Sequence, residues 1–144
     1  MKSSIDIFNL DTLKFVQKHI SSNDVRILEV GCGAGDFSYE LMKTGVSLTA
    51  CDTDEKSVLL CKEKGVPALN IDFLSIKNEL FDVILFTRSL HHIHKLKEAI
   101  EHSNSLLVQG GIIIIEDFDL NMIDGKTARW YYDTRSIVSL CTNN

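Results

Sequence analysis

Proline occurs once in the 144 residues and glycine eight times, which excludes a fibrous repeat and argues against a disordered tract. No apolar run is long enough to cross a bilayer. The first twenty residues carry Asp6, Asp11, Lys14 and Lys18 among their apolar positions, so they read as neither secretory leader nor anchor. Positive charge is in deficit, 15 Lys and Arg against 20 Asp and Glu, for a net charge of -5. That argues against a nucleic-acid partner, since passive binders draw their affinity from neutralising phosphates. It gives no support to a membrane-surface binder. The four cysteines, Cys32, Cys51, Cys61 and Cys141, contain no C-x-x-C pair. They read as buried or incidental thiols of a reducing, cytoplasmic compartment, and no metal site is expected.

What remains is an ordinary globular balance, 44% hydrophobic and 24% charged. No repeat or linker is visible. The expectation is one domain over 1–144, with an N-terminal helix within 1–23, a core over 24–120 and a C-terminal helix within 121–144. Periodicity predicts helices over 5–20, 36–44, 54–64, 95–108 and 125–141. Leu96, Ala99, Ile100 and Leu107 are expected to face inward. Gly45, Gly65 and the pair Gly110 and Gly111 stand where helices should stop. Strands are predicted over 25–30, 46–51, 67–71, 81–87 and 112–118, with loop or a helical turn over 75–80. The strands are continuously apolar rather than alternating, so both faces are covered. Strict alternation of strand and helix then gives a doubly wound, parallel α/β sheet. Its ligands bind beyond the carboxyl ends of the strands.

The stretch "ILEVGCGAGDF" at 27–37 ends the first strand in that position. A dinucleotide fingerprint needs a third glycine where Asp36 stands, and a carboxylate there repels a pyrophosphate. No P-loop is present either. Asp52 ends the second strand, 21 residues after Gly31, where an acid can accept two hydrogen bonds from a ribose diol. The alternative is a solvated helix cap, with Asp54 or Thr53 as the other candidates for the helix start. Asp72 ends the third strand and can accept from an adenine amine, with the Phe73 ring against the base; the alternative is an ordinary loop acid. Glu29 and Asp36 make the near end of the pocket acidic, which suits a cationic tail. An adenosine with a positive tail and no phosphate is S-adenosylmethionine.

"ILEVGCGAG", "ACDTDE", "NIDF", "FDVILFTRSLHHI" and "LLVQGGIIIIEDF", in that order, resemble a class I S-adenosylmethionine-dependent methyltransferase of the small-molecule type. The resemblance covers about residues 24 to 120. It implies a Rossmann-like five-stranded sheet of order 3-2-1-4-5. It also implies that Gly31 and Gly33, with Cys32 between them, approach the methionine part, and that Glu29 orients it. Asp52, with Thr53 beside it, would take the ribose. Asp72 and Phe73 would hold the adenine, and Thr87 and Arg88 would line the methyl-donor side.

His91 or His92 can deprotonate a hydroxyl acceptor. Equally, one packs against the loop and the other is solvated, because proximity alone carries much of a methyl transfer. Arg88 can pair with Asp52 or Asp72 or face an anionic acceptor. Trp130, Tyr131 and Tyr132 cage a substrate or pack a helix. Glu116, Asp117 and Asp119 contact a cationic acceptor or form a solvated loop. No Pro-Pro-Tyr-type motif follows the fourth strand, which disfavours base-amine or glutamine methylation and leaves a small-molecule acceptor. The family's C-terminal strand pair is missing, so either a second copy or a partner chain covers the fifth strand's edge, or residues 125–141 fold over it, or the chain is a fragment of a longer enzyme. Two readings follow: an active methyltransferase, or a cofactor-binding module or fragment inactive without a partner chain. A nicotinamide oxidoreductase is a distant third.

Overall fold

A computed structural model describes residues 7–20 and 22–117. The order is α1 (Ile7–His19), β1 (Arg26–Val30), α2 (Asp36–Met42), β2 (Ser47–Asp52), α3 (Glu55–Glu63), β3 (Ala68–Asn70), β4 (Phe81–Thr87), α4 (Leu96–Ser105) and β5 (Leu107–Glu116). Single 3-10 turns occupy Phe73–Ser75 and Leu90–His92. The five strands form one parallel sheet in the order β3-β2-β1-β4-β5. This is the doubly wound arrangement expected of continuously apolar strands.

Successive residues of a strand point to opposite faces, and both faces here are dry. Ile27 of β1, Val83 and Leu85 of β4, and Leu48 and Ala50 of β2 pack with Val16, Phe37, Leu41, Val58 and Cys61 from α1, α2 and α3. Leu28, Val30, Ile84 and Phe86 pack on the other side with Phe73, Ala99 and Leu106. The chain thus builds three layers and brings the ends of β1, β2 and β4 together at one rim.

The fifth strand departs from expectation. It begins at Leu107, so Gly110 and Gly111 lie inside a strand and do not stop a helix. Between the pairs Phe81↔Leu107 and Val83↔Ile112, β4 advances two residues and β5 five. The surplus is taken up at Gly110, with φ at +80°, and at Gly111, where a Cβ would lie 3.0 Å from the Val108 carbonyl. The predicted inward face of α4 is also shorter. Leu96 is 52% exposed, and the buried positions are Ala99 and Ser103. The expected helix over 125–141, with Trp130, Tyr131, Tyr132 and Cys141, lies outside the described residues, as does Asp119.

Candidate functional site

A cavity of about 690 Å³ opens where the carboxyl ends of β1, β2 and β4 meet the turn after β3. Gly31, Gly33, Asp52, Thr53, Asp72, Phe73, Arg88 and His92 are on its wall. Eight of the twelve residues expected to bind the cofactor or to catalyse thus converge on one space, although they come from four separate stretches of chain.

The glycine loop is held by β2. The Gly31 and Cys32 amides both donate to the Cys51 carbonyl, at 2.9 and 3.1 Å. The Gly33 amide donates to Asp52 Oδ2 at 2.9 Å. Gly33 has φ at +54° and no heavy atom within 4 Å of where its Cβ would be, so bare backbone faces the cavity. Its neighbours are tighter. A Cβ on Gly31 would fall 2.6 Å from Ser89 Cβ, and one on Gly35 would fall 2.5 Å from Cys61 Sγ. Gly35 therefore supplies the close helix packing that the sequence reading looked for one residue later, at Asp36.

Asp36 itself is a correction. It is not on the cavity wall, and Lys64 Nζ neutralises it at 3.0 Å while also donating to the Ala34 carbonyl. Repulsion of a phosphate by Asp36 is therefore weaker than its bare charge implied. Asp54, not Asp52, caps α3, accepting from the Ser57 amide at 2.9 Å and its hydroxyl at 2.7 Å. Those bonds lower its carboxyl below the usual range. Asp52 Oδ1 accepts from the Asp54 amide at 3.0 Å. Asp52 thus spends one acceptor site per oxygen on the loop, and a carboxylate has about four in all.

On the β3 side, Asp72 Oδ1 accepts from the Leu74 amide at 2.8 Å and caps the turn. Phe73 is 5% exposed, its ring edge-on to Phe86 at 5.6 Å and to His102 at 5.0 Å. It is a core side chain at the cavity floor, with Ile71 and Leu74 completing the apolar wall.

Glu29 and Thr87 lie behind the wall. Glu29 is 1% exposed and accepts from the Ser38 hydroxyl and from Thr87 Oγ1, the latter at 2.9 Å. Burial pushes its carboxyl up to about 6, against the two hydroxyls and the nearby Arg88 charge. Arg88 pairs with neither Asp52 nor Asp72. Its Nη2 donates to Asn9 Oδ1 at 2.6 Å and its Nε lies 3.8 Å from Glu116 Oε2. Burial raises the Glu116 carboxyl, and Arg88 opposes that rise. Arg88 also has φ at +52°, a conformation that side chains seldom take, at the point where β4 ends on the cavity.

Cys32 is not on the wall; it packs against the core beside Cys61, its thiol 3.5 Å from the Gly33 carbonyl. Burial pushes the Cys51 thiol up to about 12, and Cys32 and Cys61 also rise. These thiols stay protonated and are poor nucleophiles. Among the described residues, no group of three or more His, Cys, Asp or Glu side chains could hold a metal ion. No helix among them is long and apolar enough to cross a membrane.

His92 is on the wall and His91 is beside it, their rings 4.3 Å apart. His91 Nδ1 lies 2.7 and 2.8 Å from the two oxygens of Asp117. The sequence offered Asp117 a cationic acceptor or a solvated loop and did not pair it with His91, from which 26 residues and a whole helix separate it. It also missed Ser89, Ile93, His94 and Lys95 on the wall. Ser89 left a signal in retrospect, since the glycine at 31 marks a close neighbour. The other three carry no pattern of their own.

The methyltransferase domain family matches residues 8–140. The chain is 32% identical over 111 residues to a ribosomal protein L11 methyltransferase of Campylobacter fetus, covering 70% of this chain and 40% of that protein. It is 26% identical over 125 residues to a ubiquinone biosynthesis O-methyltransferase of Coxiella burnetii, covering 81% and 53%. The chain therefore spans about half the length of these relatives. Among solved structures, the plantazolicin methyltransferase BpumL, in complex with a triazolic desmethylPZN analogue and SAH, superposes with a TM-score of 0.74 at 18% identity. That match covers 90% of this chain and 57% of the other, and at such identity it speaks for the fold alone. With a family match over most of its length, this chain belongs to the methyltransferase domain family.

Proposed function

We propose that the cavity binds S-adenosylmethionine and that the chain transfers its methyl group to a small-molecule acceptor. The observation that carries this reading is the convergence of the open Gly33 backbone, Asp52 and Asp72 on one apolar-floored space. When bound, the cofactor supplies a methyl group already activated on a sulfonium. The chain's own residues then have to bind and orient. Asp52 keeps acceptor sites for a ribose diol, with Thr53 beside it, and Asp72 keeps one for an adenine amine. Phe73, Ile71 and Leu74 offer the base an apolar bed. Gly31 and Gly33, with Cys32 between them, let a methionine part approach the backbone. Glu29, through Thr87, and Arg88 hold the end of β4 that faces the methyl-donor side, and His91 and His92 stand nearest as catalytic candidates.

The two cations of the wall are both engaged, Arg88 by Glu116 and Asn9 and Lys95 by Glu98, so neither is set aside for a pyrophosphate. This favours a phosphate-free adenosine over a dinucleotide. The relatives' names differ in what they act on, one a ribosomal protein L11 methyltransferase and the other an O-methyltransferase of ubiquinone biosynthesis. A binding module inactive on its own draws no support from relatives that are themselves named methyltransferases. We place the whole chain in one domain of the cytoplasm. We also assign a second copy or another chain to β5, where Ile112 and Ile115 are 38% and 42% exposed.

The test is incubation with methyl-labelled S-adenosylmethionine and a panel of small hydroxyl, amine and thiol compounds. Label in the small-molecule fraction is the expected result. Transfer to added protein alone, or no transfer at all, contradicts the small-molecule reading.

A further inference from the structure

We infer that Lys64 is a positioning residue for the cofactor, whose ammonium holds the glycine loop in its binding shape through the Ala34 carbonyl. The inference rests on the reading of the cavity as an S-adenosylmethionine site. Lys64 is not on the cavity wall, so it acts through the loop. Its Nζ donates to the Ala34 carbonyl at 2.6 Å and lies 3.0 Å from Asp36 Oδ1. Its own backbone is fixed in turn. The Lys64 amide donates to the Leu60 and Cys61 carbonyls at 3.3 and 3.2 Å, and the helix dipole favours a cation at the end of α3.

The loop needs such a hold. Gly31, Gly33 and Gly35 have φ at +76°, +54° and +81°. Three glycines in five residues open many other conformations, and fixing one of them costs entropy. α3 grips the loop from both of its ends. At its start, Asp52 accepts from the amides of Gly33 and Asp54. At its end, Lys64 takes the next loop carbonyl, that of Ala34. Between them Cys61 fills the space beside Gly35, where a Cβ would fall 2.5 Å from Sγ. The Gly33–Ala34 segment is thus strung between a carboxylate and an ammonium, with the open Gly33 backbone on the cavity wall.

Of the two partners of Lys64, the carbonyl carries the effect. The Asp36 side chain is 71% exposed, and exposed ion pairs contribute little. The bond to Ala34 is shorter, partly buried and charge-assisted. Without it the loop spends time in shapes that do not admit the ligand, and the apparent affinity falls by the fraction that remains competent.

Lys64→Met keeps the stem and removes the donor, whereas Asp36→Asn removes only the ion pair. Titration calorimetry with S-adenosylhomocysteine should show Lys64→Met weakened about tenfold, the low end for a charged hydrogen bond. Lys64→Arg, which keeps a charged donor, should recover most of that loss, and Asp36→Asn should stay within about twofold of the wild type. Amide hydrogen exchange of the ligand-free chain separates positioning from stability. In Lys64→Met the Gly33 and Gly35 amides should exchange faster, while the Ala50 amide inside β2 keeps its wild-type rate. Unchanged affinity in Lys64→Met, an equal loss in Asp36→Asn or in Lys64→Arg, or faster exchange of all three amides alike would overturn the inference. A wild type that fails to bind S-adenosylhomocysteine fails the cofactor reading instead. Exchange then still decides the clamp, since unchanged Gly33 and Gly35 rates in Lys64→Met would contradict it without any ligand.

Discussion

Asp52 shows how one side chain can serve both the fold and the site. Each of its oxygens already holds a backbone amide, one from the glycine loop and one from the start of α3. Asp52→Ala should therefore weaken S-adenosylhomocysteine binding by about 2–3 kcal/mol, the worth of charged hydrogen bonds, and lower Tm as well. Calorimetry and thermal melts of the same variant read the two effects separately, and unchanged affinity would remove Asp52 from the site. Gly33→Ala puts a methyl group into the cavity at positive φ. It should cost about 1–2 kcal/mol of stability and weaken ligand binding, as read by denaturant unfolding and titration. Glu29 gives a pH signature. Its folded pKa, about 6, lies above the ordinary 4.5. The folded chain thus holds this proton after the unfolded chain has released it, and stability falls as pH rises from 4.5 through 6. The loss is about 2 kcal/mol once both states are ionised. Denaturant unfolding should show that fall in the wild type and a clearly shallower one in Glu29→Gln, where the raised Glu116 carboxyl still contributes. A wild type that gains stability over that window would refute the assignment.

At the scale of elements, the Glu29 network ties β1 to α2 through Ser38 and to β4 through Thr87. Ser38→Ala should destabilise by about 1–3 kcal/mol, the cost of an under-bonded buried acid. The cost should be larger at neutral pH than at pH 4, where Glu29 is protonated; equilibrium unfolding at the two pH values measures the difference. Elements of this kind were legible where one signal ruled. The span of β4 follows from its apolar run Val83–Phe86 with Phe81 before it, and the start of α3 follows from Asp54. β5 was not legible at its start, because glycine pairs stop helices more often than they kink strands, and only pairing with β4 decides between the two. Contacts between elements were less legible still. Asp117 meets His91, and Lys64 meets Asp36, across separations that carry no periodicity in the sequence.

For the whole molecule, the sheet order follows from alternation of strand and helix together with right-handed crossovers, and that order puts the candidate site at one rim. Chemistry-bearing residues at the ends of β1, β2 and β4 were readable because a parallel sheet gathers such ends. The residues that only line the space, such as Ile93, His94 and Lys95, were not, since their type does not distinguish wall from surface. The central claim is that this rim holds adenosine without phosphate. Titration calorimetry of the chain with S-adenosylhomocysteine and NAD in parallel tests it most directly. The account predicts micromolar binding of the first and none of the second. Binding of NAD, or a folded chain that takes neither, would contradict it.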